Sequence, residues 1–321
     1  MSFFILLFIL ITARNLANEM YLNGYFSNRD FVVVFYTLIF LAIISYFSSY
    51  YLSSLFYERA KGIFPFGEPS NFALFFGPFF LLYLFQLPNF LKQFLVILSV
   101  SLLAVSIEST TLLIYVALAL LLFVRINTIS LYLVVPLSIY GVYYVLNDPY
   151  FLSRVILTPD SGNLTALVYL QGLTDAYNAL VDTNGLGLGF QMLGTQPPSE
   201  IFYQIQTVMG QGLDGGGLNR KDGGFVAAKL VAEFGVIGII LLIAYLYLFF
   251  KVFLKLRRLI RVPNGFEPAY IFSLVFIYAS FVEIFGRGVG YFSPSLFLFF
   301  TALFINSYYK KRVKGFAPKY S

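Results

Sequence analysis

Apolar residues in this chain fall in long unbroken runs, not in alternation. The runs lie at about 1–14, 31–56, 71–88, 92–107, 111–126, 129–147, 223–250, 267–286 and 289–308. A helix needs about 20 apolar residues to cross a hydrocarbon layer of roughly 30 Å. A transmembrane barrel would instead show short segments of alternating hydrophobicity. The pattern therefore predicts an all-α, polytopic membrane helix bundle of about nine transmembrane spans, with one large polar segment between the sixth and the seventh. The first run is short and ends at Arg14 and Asn15. It predicts a half-span, a span prolonged to Leu22, or a signal-anchor remnant. No basic stretch precedes it, as one would in a cleavable signal peptide. Four blocks follow: 1–147, an N-terminal transmembrane bundle; 148–222, the large loop; 223–308, a C-terminal transmembrane bundle; and 309–321, a basic tail.

Composition sharpens the picture. The chain of 321 residues is 59% hydrophobic and only 11% charged, against about 25% charged in soluble domains. A water-soluble globule is excluded. There is no Cys, no His and no Trp. That removes disulfides and thiolate sites, and a histidine base or His-ligated zinc. It leaves the interfacial aromatic belt to tyrosine. Chemistry here falls to Asp, Glu, Arg, Lys, Tyr, Ser, Thr and the backbone.

The basic residues set the orientation. Lys251, Lys255, Arg257, Arg258 and Arg261 form one cluster without an acid, and Lys310, Lys311, Arg312, Lys314 and Lys319 form another. Two runs separate them, so both clusters can lie on one side, and the positive-inside rule makes that side cytoplasmic. The C-terminus is then cytoplasmic, and 148–222 is extracytoplasmic. Seven of the chain's 15 acids lie in that segment, with only Arg154, Arg220 and Lys221 as bases. The basic residues read as topology signals and not as one continuous stripe, which argues against nucleic acid as a partner.

Within the loop, residues 163–181 carry Leu164, Leu167, Leu170, Ala176 and Leu180 at helical spacing. They predict an amphipathic helix on the membrane surface or over the bundle, with Asp160 or Ser161 as its cap. Gly185-Leu186-Gly187-Leu188-Gly189-Phe190 follows. It predicts a tight glycine turn back towards the bundle, or bare amides that cradle a phosphate. Its spacing is wrong for a dinucleotide fingerprint. A second glycine stretch, Gly210 to Gly217, reads as a gate or as a connector. Asp222 stands where a cap of the next helix would sit, with Arg220 and Lys221 just outside it, an arrangement suited to an anion.

On that helix Lys229 and Glu233 stand four apart and share a face. At membrane depth, ionisable groups carry a presumption of function; the structural alternative is a buried ion pair. Glu283 and Arg287 are also four apart. With Glu58, Arg59, Lys61, Glu108 and Arg154 they fall on the extracytoplasmic side in this topology. Arg59, Lys61, Arg154, Arg220, Lys221 and Arg287 thus gather on the side where basic residues are normally sparse. Guanidinium groups there suit a diphosphate, through bidentate charge-assisted bonds.

Three stretches resemble the O-antigen polymerases (Wzy type) within the wider polymerase and ligase superfamily. Arg59-Ala60-Lys61-Gly62-Ile63-Phe64 through Glu68-Pro69-Ser70-Asn71-Phe72-Ala73 is similar to that family's R-x-x-G-x-F … E-P-x-x-x-A lead-in to a span. Val168-Tyr169-Leu170-Gln171-Gly172 through Gly185–Phe190 is similar to its periplasmic loop. Asp222-Gly223-Gly224-Phe225 through Lys229, Glu233-Phe234-Gly235 and Gly238 is similar to its return helix. Together they cover roughly residues 55–250. Members usually have more spans, many carry Arg where Gln171 stands, and the related ligases carry a loop histidine that this chain lacks.

The resemblance implies a bacterial inner-membrane polymerase with a periplasmic active face. It would join undecaprenyl-diphosphate-linked oligosaccharide repeat units, with undecaprenyl diphosphate leaving. Membrane lipid and a polysaccharide chain-length regulator are its expected partners. No cofactor and no metal is expected. Diphosphate binding is assigned to Arg59, Arg154, Arg220, Lys221 and Arg287, and the base to Asp222, with Asp175 and Glu233 as runners-up. Gln171, Gly187 and Gly189 are candidate glycan or loop positions. An O-antigen ligase acting on lipid A-core, a lipid-linked glycan transporter and a structural membrane subunit are the alternatives.

Overall fold

The computed structural model describes residues 2–24, 27–56, 62–123, 136, 139, 141, 143, 146–209, 220–260 and 267–315, with side chains left out at 23, 49–56, 155 and 312–315. Among them there is no strand, only an isolated bridge between Ile63 and Phe66. The helices are α1 (Ser2–Asn18), α2 (Asn28–Phe56), α3 (Pro69–Gln86), α4 (Phe90–Ser106), α5 (Thr110–Phe123), α6 (Pro149–Val155), α7 (Leu164–Asp182), α8 (Glu200–Val208), α9 (Val226–Leu259), α10 (Pro268–Ala279) and α11 (Pro294–Gly315). Four segments are long and apolar enough to cross a membrane: Ser2–Leu22, Asn28–Ser48, Val226–Leu259 and Pro268–Gly286. The chain is an all-helical membrane protein. The first apolar run therefore reaches spanning length, because a π turn, Glu19–Asn23, prolongs α1. The expected span at 129–147 lies almost wholly outside the described residues.

Two compact units cut across the sequence blocks. One comprises 1–123, 249–282 and 292–321; the other comprises 124–248 and 283–291. The first unit is built on aromatic packing. Phe35 of α2 stacks on Tyr83 of α3 at 4.2 Å, and Phe79 meets Phe276 of α10 edge-on at 5.3 Å. Gly77 leaves α3 room for the Tyr115 ring of α5, which would lie 2.3 Å from a Cβ there. Tyr278 stacks on Phe249 and donates its hydroxyl to the Leu118 carbonyl at 3.1 Å. Offset and edge contacts of this kind add specificity beyond area burial.

The second unit is less regular. α7 and α8 share an apolar cluster of Leu167, Val168, Ile201 and Ile205. Asn163 caps α7, accepting from the amides of Thr165 and Ala166. This replaces Asp160 or Ser161, which lie too far upstream of the first helical turn. α7 meets the 222–225 turn at backbone distance, since a Cβ on Gly172 would fall 2.1 Å from the Gly223 carbonyl oxygen. Tyr169 stacks on Phe225 at 4.3 Å and donates to the Phe285 carbonyl. α9 is broken inside, with Gly235 at φ 55°, ψ −129°, a left-handed conformation that favours glycine.

Candidate functional site

The site grows from the turn before α9. Gly223 and Gly224 both have positive φ, so the chain reverses there and the helix starts only at Val226. Asp222 is consequently not the helix cap expected from the sequence. The reversal instead aims its carboxylate back at Lys229, with Oδ1 3.7 Å from Nζ. The segment after the π turn Val282–Gly286 runs alongside: Gly288 N donates to the Gly224 carbonyl at 2.9 Å.

Lys229 is the hub. Its side chain is 2% exposed, and its ammonium donates to the Lys221 carbonyl at 2.7 Å. Gln191 Oε1 lies at 3.5 Å, Glu233 Oε1 at 3.9 Å on the next turn, and the Tyr291 ring centroid at 5.0 Å. A buried ammonium in such a position needs opposite charge and acceptors around it, and two carboxylates, an amide, a carbonyl and a π face supply them. Glu233 is 1% exposed and also accepts from Leu193 N at 3.4 Å. Asp222 differs: 46% of its side chain is exposed. One carboxylate of the pair faces outward and the other is sealed.

A second polar cluster surrounds Asp175 on α7. Burial pushes its carboxyl above the usual range, while Ser199, Arg220, Gln171 and Gln196 pull the other way. Gln196 donates to the Asp175 carbonyl at 3.2 Å, and Arg220 donates to the Gln196 carbonyl. Residues 191–196 thus contact both clusters, through Gln191 and Leu193 on one side and Gln196 on the other.

The expected diphosphate groups have separate seats. Arg220 lies over Phe202 at 5.3 Å and Arg154 over Tyr150 at 4.1 Å. Lys221 contributes its backbone carbonyl while its side chain points outward. Arg287 directly precedes Gly288, beside the 222–225 turn. Arg59, with Glu58, Lys61 and the 210–217 glycine stretch, lies outside the described residues.

The glycine run has its amides engaged. Gly185 N donates to the Leu180 carbonyl, Leu186 N to the Thr183 carbonyl, and Gly187 N to Thr183 Oγ1. Leu188 N and Gly189 N donate to the carbonyls of Ala232 and Glu233, each at 2.9 Å, and Val236 N returns a bond to the Gly185 carbonyl. The run stitches the break in α9 and leaves none of these five amides for a phosphate. Gly187 has a further reason to lack a side chain: a Cβ there would lie 2.5 Å from the Glu233 oxygen.

Tyr291 and Gln191 were not singled out in the sequence. Tyr291 lay hidden inside the apolar run 289–308. A usable signal existed in Ser293-Pro294, since Pro at the first helical position marks a start, and Ser293 Oγ does accept from Leu296 N. Gln191 gave no such signal. Among the described residues no group of three or more His, Cys, Asp or Glu could hold a metal ion. No family model, curated protein or solved structure matches the chain.

Proposed function

We propose that this chain is a membrane glycosyltransferase of the O-antigen polymerase type, which joins undecaprenyl-diphosphate-linked repeat units at the periplasmic face of the bacterial inner membrane. The observation that carries the reading is the Asp222–Lys229–Glu233 arrangement. A half-exposed carboxylate is held 3.7 Å from a buried ammonium, which a second, sealed carboxylate balances from behind. Such a group can accept a proton from a sugar hydroxyl. The acceptor oxygen then bonds to the donor's anomeric carbon as the bond from that carbon to the diphosphate oxygen breaks. The diphosphate departs with the electron pair, and cationic groups such as Arg220 and Arg287 stabilise it.

The test is a reaction of purified protein with its lipid-linked repeat unit in the presence of EDTA, resolved as a ladder of lipid-linked oligomers. Asp222→Asn should lose about 10²–10⁴-fold in rate with the fold unchanged. A full-rate ladder from Asp222→Asn would move the base elsewhere, and no ladder from folded wild-type protein would sink the polymerase reading.

One observation favours a second reading, a lipid-linked glycan transporter. α9 is interrupted at Gly235, beside the ionisable Lys229 and Glu233, and broken helices flanking charged groups are features of transporters. Proteoliposomes that move the lipid-linked unit across the bilayer without extending it would select that reading.

A further inference from the structure

The outer face of α7 is not polar. Leu173, Tyr177 and Val181 are exposed at four-residue spacing, and Leu186 just beyond the helix is 80% exposed. Single exposed apolar residues are ordinary, but a continuous stripe marks a contact surface.

Where the stripe ends identifies what covers it. The Gly185 carbonyl is bonded to Val236 N, and Leu188 N to the Ala232 carbonyl. Leu186 is thereby level with Val236 and Ile237, which are exposed on a helix of spanning length and hydropathy. On that helix Lys251 follows Val236 by about 15 residues, or about 22 Å. A hydrocarbon layer of about 30 Å that begins at the basic end of α9 therefore extends past Val236 by about 8 Å. The backbone obeys the same constraint. Non-helical chain at membrane depth must satisfy its polar groups internally, and all five amides of residues 185–189 are bonded within the protein.

We infer that the last two turns of α7 and the glycine run form a re-entrant element, with Tyr177, Val181 and Leu186 resting against lipid acyl chains. The partner is bilayer hydrocarbon, and the inference does not depend on the chemistry proposed above.

The chain contains no Trp, so a single introduced Trp reports its own surroundings. Leu186→Trp, Tyr177→Trp and Val181→Trp would each be reconstituted into phosphatidylcholine vesicles, with and without bromine on the acyl chains. Asp160→Trp, at an exposed loop position, is the aqueous control. All four sites are exposed, so none of these changes enlarges a core residue. The expected result is quenching by bromolipid several-fold stronger than in the control, with weak quenching by aqueous iodide. Iodide quenching equal to the control with no bromolipid effect would overturn the inference. Shielding from both quenchers would overturn it too, and would assign the stripe to a second protein surface.

Discussion

The two units solve burial in opposite ways. Every buried charged side chain among the described residues, namely Asp175, Lys229, Glu233 and Glu283, belongs to the second unit. The buried polar groups of the first are Ser, Thr, Gln and Asn, held inside an aromatic core. The backbone divides the same way. Described glycines at positive φ number eight in the second unit and one, Gly24, in the first. Buried charge costs free energy, and its confinement to the second unit among the described residues points to where function lies. The first unit is what apolar packing alone produces.

The largest expected contrast lies in the charge hub. Lys229→Met would leave Asp222 and Glu233 without their cation, and removing one partner of a buried ion pair costs about 3–5 kcal/mol. Tyr115→Phe in the first unit, whose hydroxyl donates to the Leu74 carbonyl at 3.5 Å, should cost about 1 kcal/mol or less. Denaturant titration in mild detergent micelles measures both. Adding Glu233→Gln to Lys229→Met should recover part of the loss, because it removes the sealed charge that the first change stranded. A double variant no more stable than the single would mean that Lys229 acts through packing and not through charge.

A smaller contrast concerns glycine. At Gly235 an added Cβ would fall 1.9 Å from the Gly185 carbonyl oxygen, on a left-handed backbone. At Gly77 the obstacle is the Tyr115 ring at 2.3 Å. A ring can shift, whereas a stitched backbone cannot move without breaking its hydrogen bonds. Gly77→Ala is an overpacking change worth about 1–3 kcal/mol. Gly235→Ala adds a strained backbone of similar cost to its clash, and should lower the yield of monodisperse protein further. Equal effects on gel filtration and thermal unfolding would show that the break in α9 is not held by the 185–189 run.

These contrasts also mark what could be read from sequence. Spanning helices write themselves as continuous apolar runs because lipid demands apolar side chains all round. The Lys229–Glu233 pair was legible because four-residue spacing stacks side chains on one helix face. Asp222 was legible as a candidate, but its pairing with Lys229 was not. That depends on two consecutive left-handed glycines, which a helix-cap reading does not anticipate. The break at Gly235 was equally hidden. A glycine within an apolar helix is commonly tolerated, and only the bond from Val236 N to the Gly185 carbonyl, from a segment fifty residues before Gly235, reveals the interruption.

The smallest expected effect is in pH dependence, and it belongs to the carboxyl of Asp175. Burial raises the Asp175 carboxyl above its ordinary value of 3.8, against the pull of Ser199 and Arg220. A carboxyl raised on folding binds its proton more tightly in the folded state. Its contribution is therefore fully present below the unfolded value and is lost as pH rises through the folded one. Thermal stability in detergent should fall over that interval as pH increases from acid. Asp175→Asn should flatten this dependence and leave the protein at least as stable at neutral pH. If Asp175→Asn were instead destabilising at neutral pH and more so than in acid, attraction to Arg220 would outweigh burial at this carboxyl, and the direction of its shift would be reversed.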